Sequence, residues 1–185
     1  RHRSSQAQNI SQARAGTYPE SRSMSTHSVT TIVIVGGGAG GASAATRARR
    51  MNEHAKIILL EKDEHVSFAN CGLPYYIGGE IAERQKLLVA TPQFLACRFR
   101  IDVRTRQEVR SIDRAAKSVT VLNHASGETY QLAYDKLILA PVASPLVPPL
   151  PGRDAANVFT LRNMADTDCI KSAADGCSSK RAAVV

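Results

Sequence analysis

Two short apolar runs set the register of the chain. Thr31–Val35 is an unbroken, β-branched stretch and Lys56–Leu60 a second one. Each has the length of a strand buried on both faces of a parallel sheet. Between them Ala42–Met51 is dense in good helix formers, with Arg47, Arg49 and Arg50 near its end, where cations complement the helix dipole. Strand, helix and strand predict a βαβ unit with a right-handed crossover.

Further on, Thr91 followed by Pro92 predicts an N-cap and first helical position, opening a helix to about Phe99. Four alternating segments come next: Ile101–Thr105, Glu108–Ile112, Val119–Leu122 and Glu128–Leu132. Turn residues from Asn123 to Gly127 separate the last two, and we expect an antiparallel meander inserted into the parallel sheet. Lys136–Ala140 reads as a return strand to the main sheet. Pro141–Pro151 reads as an extended linker, because successive prolines fix φ and withhold donors. Lys180–Val185 starts another strand and stops, so we expect the chain to be an incomplete protein.

Composition narrows the class. The 185 residues are 43% hydrophobic and 22% charged, as in an ordinary globular domain, and too apolar for disorder to dominate. No run approaches the roughly 18 apolar residues of a membrane span. Net charge is +8, with basic residues scattered among acids, no Trp and 5% aromatics. Nucleic-acid binders concentrate charge on one face or interleave it with stacking residues, so a groove for a phosphate-bearing small molecule fits better. Cys71, Cys97, Cys169 and Cys177 show neither zinc spacing nor C-x-x-C, which argues against structural metal and a disulfide framework. Residues 1–28, with four arginines against one acid and no apolar periodicity, read as a disordered leader. Sequence upstream of a start at Met24 is the reading adopted, with a cytoplasmic protein. A mitochondrial transit peptide is the alternative.

Gly36-x-Gly38-x-x-Gly41 follows the first strand and opens the first helix, and Glu61 stands 20 residues past Gly41. That spacing is the one at which an acid reaches a ribose in dinucleotide-binding βαβ units. Gly36 permits the tight turn, Gly38 lets backbone approach a pyrophosphate, and Gly41 lets helix pack on strand. The helix N-terminus offers free amides to the pyrophosphate. Glu61 would accept from ribose hydroxyls and repel a 2′-phosphate, favouring FAD or NAD over NADP.

Just beyond the acid lies Ser67-Phe68-Ala69-Asn70-Cys71-Gly72-Leu73-Pro74-Tyr75-Tyr76-Ile77-Gly78-Gly79. Cys71 has no second cysteine at C-x-x-C or C-x-x-x-x-C spacing, which excludes an internal redox disulfide there. A lone reactive cysteine forms a mixed disulfide with a small thiol, or a sulfenic acid. Attack requires the thiolate, which a neighbouring helix N-terminus would favour.

With this block, and from about Thr31 to Val185, the sequence resembles the pyridine nucleotide–disulfide oxidoreductases. Within them it is most similar to the single-cysteine branch of coenzyme A-disulfide reductases and NADH-dependent persulfide reductases. Tyr134–Leu139, and Leu161-Arg162-Asn163 with Asp166 and Asp168, also match family positions.

The resemblance implies an α/β fold: a Rossmann-like FAD-binding domain over residues 29–150, then a linker and the truncated start of an NAD(P)H-binding domain over 151–185. It implies a homodimer when complete. Cys71 would stand beside the flavin and carry a coenzyme A or persulfide mixed disulfide. FAD contacts would fall at Gly36, Gly38, Ala39, Gly40, Gly41, Glu61, Lys62, Val109 and Ala140. Coenzyme A contacts would fall at Ser43, Arg47 and Arg50, which share a helix face, and at Ser67 and Asn70. Arg98 or Arg100 would add a phosphate contact.

An oxidase or peroxidase cycling Cys71 through sulfenic acid, and a non-catalytic flavin-binding fragment, are the alternatives. One departure stands out. Val142 occupies a position where the family carries glycine, and a β-branched residue there is strained if φ is positive.

Overall fold

The alternation inside the two apolar runs decides which layer each side chain joins. A computed structural model describes residues 29–178 and 181–184; the expected leader, residues 1–28, lies outside them. Strands β1 (Thr31–Val35) and β2 (Lys56–Leu60) pair in parallel, Thr31 opposite Lys56 and Val35 opposite Leu60. Ile34, Ile57 and Leu59 point to one face, where they pack with Ala45, Leu95 and Ile101. Val33, Ile58 and Leu60 point to the other and meet Val119 and Val121. Burying such a side chain contributes roughly 1.5–3 kcal/mol, so both faces are held by apolar packing.

Helix α1 (Ala39–Met51) and helix α3 (Pro92–Phe99) cover the first face. Short helix α2 (Leu73–Gly78) stands between them in the chain. Strand β3 (Asp102–Arg104) follows α3. Strands β4 (Gln107–Asp113), β5 (Ser118–Asn123) and β6 (Thr129–Ala133) form an antiparallel meander over the second face. Strand β7 (Lys136–Leu139) returns to pair in parallel with β1, giving a sheet ordered β3-β2-β1-β7. Helix α4 (Met164–Gly176) follows the irregular stretch 140–163.

Local chemistry explains the boundaries. The Thr91 hydroxyl accepts from the Phe94 amide at 3.1 Å, capping α3 as its Thr-Pro start predicts. The end of α3 is clamped by Arg49. Its guanidinium donates to the carbonyls of Phe99 (2.8 Å), Arg100 (2.8 Å), Glu53 (2.7 Å) and Ala55 (2.7 Å). Partial burial, then the charge of Arg100, lowers the Arg49 pKa, yet no arginine titrates near neutrality. In the hairpin between β5 and β6, the Gly127 amide donates to the Asn123 carbonyl at 2.8 Å with φ +77°.

Four expectations change. Ile101–Thr105 is not part of the meander: β3 lies parallel to β2, with Val103 beside Leu59. Alternation reports a half-buried strand but not the direction of its partner. Helix α1 begins at Ala39 rather than Ala42, taking Gly40 and Gly41 into its first turn. The strand expected at Lys180–Val185 is absent over Arg181–Val184, and Lys180 and Val185 lie outside the described residues. Val142 does not have positive φ, so the strain considered for it does not arise.

Candidate functional site

Glycine is needed at the βα turn because backbone occupies the space a side chain would fill. Gly36 has φ +99°, and a Cβ there would lie 2.1 Å from the Ala140 carbonyl oxygen. At Gly37 a Cβ would meet the Val66 side chain at 2.6 Å, and at Gly41 it would lie 1.8 Å from the Gly36 oxygen. Gly40 differs: its nearest neighbour would be the Ala140 Cβ at 3.8 Å, and both Ala39 and Gly40 are exposed. No side chain caps α1 at Gly38. The turn thus presents an open, uncapped helix start.

Glu61 is oriented by the sheet. Its amide donates to the Arg104 carbonyl at 2.9 Å, and its carbonyl accepts from the Gln107 amide at 2.8 Å. Arg104 is itself fixed by two bonds to Asp102, at 3.0 and 2.7 Å, which raise its pKa. The buried Glu61 carboxylate accepts from the Gly37 amide (2.6 Å) and the Asp63 amide (2.9 Å). Each carboxylate oxygen keeps a further lone pair for a hydroxyl donor. Lys62 is exposed beside it, and half-buried Val109 pairs with Val121 at the start of a β4 bulge.

Ser67 ties this turn to the thiol segment. Its amide donates to the Gly37 carbonyl at 2.8 Å, and its own carbonyl accepts from the amides of Val89 (2.8 Å) and Ala90 (3.1 Å). Ser67 holds φ +44°, a conformation that a non-glycine residue keeps only when neighbours impose it. Asn70 and Cys71 follow in a 3-10 turn (Asn70–Gly72) that runs into α2, and both are exposed.

Gly36, Gly37, Ser67 and Ala140 therefore meet through backbone, and Glu61 joins them through its carboxylate. Ser43, Arg47 and Arg50 lie exposed on α1, and Arg98 lies exposed on α3. Among the described residues no ion pair engages Arg47, Arg50 or Arg98. Arg100, the other arginine considered for a phosphate, closes α3 and donates to the Glu53 carbonyl at 3.3 Å.

Val142, singled out in the sequence, sits against the turn, its Cγ2 3.5 Å from where a Gly38 Cβ would be. Sequence reasoning missed helix α4 and one long-range pair. Arg84 forks onto Asp168 through bonds of 2.8 and 2.7 Å, 84 residues away. The run Asn163-x-x-Asp166, a capping-box pattern, was the available signal for α4.

Residues 30–185 match the family described as pyridine nucleotide-disulphide oxidoreductase. The chain belongs to this family. Over 140 residues it is 43% identical to a coenzyme A disulfide reductase of Staphylococcus haemolyticus, covering 76% of this chain and 31% of that one. The structure of reduced Bacillus anthracis CoADR-RHD superposes with a TM-score of 0.78 at 53% identity, covering 80% of this chain and 27% of that one. A NAD-dependent persulfide reductase from A. fulgidus superposes at 0.75 with 35% identity, covering 79% and 27%. The chain spans about a third of the length of the curated relatives it matches. As in this oxidoreductase family, the fold joins a Rossmann-type parallel sheet to an antiparallel meander. Among the described residues no helix is long and apolar enough to cross a membrane. Among them no group of three or more His, Cys, Asp or Glu could hold a metal.

Proposed function

We propose that this chain supplies the FAD-binding and thiol-bearing part of an NAD(P)H-dependent oxidoreductase that reduces coenzyme A disulfide or a persulfide through Cys71. The observation that carries the reading is the 2.8 Å bond from the Ser67 amide to the Gly37 carbonyl. It fastens the segment bearing the lone thiol to the dinucleotide turn, where a thiol–flavin reaction needs it. The similarity to a coenzyme A disulfide reductase and a persulfide reductase supports the same substrate class.

The residues present fit the cofactor. The uncapped start of α1, from Gly38 to Gly41, would hold the pyrophosphate, and Glu61 the adenosine ribose. Lys62, Val109 and Ala140 would line the remainder. FAD, when bound, supplies two-electron transfer between a nicotinamide and a thiol.

Cys71 Sγ, as thiolate, attacks one sulfur of the substrate disulfide. A new S–S bond to Cys71 forms, the substrate S–S bond breaks, and the first thiol leaves as thiolate. Two electrons from NAD(P)H then cleave the mixed disulfide, and a solvent proton completes the second thiol as Cys71 returns to thiolate. Ser43, Arg47 and Arg50 on α1 would bind the phosphate-bearing end of coenzyme A, and Ser67 and Asn70 the end near the thiol. Arg98 would add a phosphate contact. In this reading residues 29–150 form the FAD domain, 151–185 lead into the NAD(P)H domain, and the full-length protein is a homodimer.

The test is Cys71→Ser in a full-length enzyme carrying this segment. FAD should remain bound and reducible by NAD(P)H, while reduction of coenzyme A disulfide or persulfide is lost. Retained disulfide reduction would overturn the role of Cys71. Retained peroxide reduction by the unmodified enzyme, without disulfide reduction, would favour the sulfenic acid chemistry instead.

A further inference from the structure

Leu161-Arg162-Asn163, with Asp166 and Asp168, matches family positions but takes no part in the chemistry above. In the structure these residues build the start of α4 and fasten it. The Asn163 side chain accepts from the Asp166 amide at 2.9 Å, and the Asp166 carboxylate accepts from the amides of Arg162 (2.8 Å) and Asn163 (3.2 Å). The Asn163 side-chain nitrogen donates to the Asp63 carboxylate at 3.2 Å, and the Asp63 amide is one of the two donors to Glu61.

One turn on, Asp168 receives Nε and Nη2 of Arg84, and Nη2 also lies 3.2 Å from Nε2 of His65. The bonds to Asp168 raise the Arg84 pKa. Beneath them Met164 is buried with Leu73 and Leu87, and Leu73 is two residues past Cys71. Lys171 Nζ lies 5.9 Å from the Tyr76 ring of α2.

We propose that α4 is a latch that positions Cys71, with Arg84 and Asp168 as its positioning residues. The proposal rests on the reading of Cys71 as the reacting thiol. Cys71 is exposed in a one-turn element, so its placement depends on what holds Leu73 and α2. α4 does this from outside, with an apolar floor and a directional fork. The Arg84 and Asp168 side chains are 30% and 43% exposed, so their pair adds little to global stability. Its two parallel bonds fix direction, which a single charge would not. Because Asn163 reaches Asp63 at the same time, the helix ties the thiol segment to the loop of Glu61.

The test uses the 185-residue chain, labelled with iodoacetamide and mapped cysteine by cysteine, with Cys97 on α3 as internal control. Asp168→Asn, and Arg84→Gln as a second variant, should raise the labelling rate of Cys71 by about two- to fivefold, the factor to which an exposed ion pair converts. Cys97 should not change. The reversed pair, Arg84→Asp with Asp168→Arg, should return Cys71 towards the unmodified rate, which a general loosening would not do. Unchanged Cys71 labelling in both single variants, or an equal rise at Cys97, would overturn the proposal. Labelling does not depend on catalysis, so its outcome stands apart from the Cys71→Ser test.

Discussion

Glu61 holds the Gly37 amide through a 2.6 Å bond that joins the end of β2 to the turn after β1. The carboxylate is therefore a structural part of the turn, besides the ribose contact proposed for it. Its burial makes the contact matter, since 7% of the residue is exposed. In Glu61→Ala the buried Gly37 amide loses its partner, at about 1–3 kcal/mol. The Asp63 amide adds a smaller loss. Glu61→Gln keeps an acceptor and should fall between the two. Urea unfolding without flavin checks this, and an alanine variant as stable as the unmodified chain would show that the bond does no structural work.

Two neighbouring glycines should separate cleanly. A Cβ at Gly41 would sit 1.8 Å from the Gly36 oxygen, backbone that cannot move without breaking the turn. Gly41→Ala should cost more than about 3 kcal/mol, at the severe end of single substitutions. A Cβ at Gly40 meets nothing closer than 3.8 Å, and alanine gains up to about 1 kcal/mol of helix propensity there. Gly40→Ala should hold or raise stability while weakening FAD, because the new methyl would stand at the exposed helix start proposed to hold the pyrophosphate. Equal stability losses in the two variants would contradict the packing described.

Much of this was legible beforehand, for identifiable reasons. β1, β2 and the glycine turn declare themselves because burial on both faces demands β-branched runs and the turn demands glycine. Thr91-Pro92 announces α3 by local chemistry alone. Legibility fails where the cause is distant. Nothing near Arg84 points to Asp168, and nothing within Ile101–Thr105 says that its partner is Leu59 in β2. Arg49 reads from sequence as one of three similar arginines, yet it alone turns inward to the end of α3, while Arg47 and Arg50 stay exposed.

Val142 supplies the next prediction. With ordinary φ it costs the backbone nothing, but its methyl stands over Gly38 at the start of α1. A dinucleotide seated there would push the side chain off its rotamer, at about 0.5–1.5 kcal/mol. Val142→Gly should therefore tighten FAD binding by about two- to tenfold. Since Val142 is 49% exposed, the unfolding midpoint without flavin should barely shift. Flavin fluorescence quenching measures the affinity, and unchanged binding would mean that Val142 does not meet the cofactor.

The exposed arginines of α1 give the most direct test of substrate class. Ser43, Arg47 and Arg50 are spaced four and three residues apart, so they share one helix face. Arg49 is engaged with backbone carbonyls, which leaves that face to the other two cations. Coenzyme A carries phosphates that glutathione lacks, and a guanidinium binds phosphate through paired, charge-assisted bonds. In a full-length enzyme carrying this segment, Arg47→Ala should raise the KM for coenzyme A disulfide by roughly tenfold at low salt. Turnover of small persulfides should stay nearly unchanged, because they make no contact with this face. Added salt should shrink the difference between variant and unmodified enzyme, since the contact is solvent-facing and screened. A change in kcat with KM held constant would place Arg47 at a later step instead. Equal kinetics with coenzyme A disulfide would reduce Arg47 to a solvated helix face and remove the main support for coenzyme A over another thiol carrier.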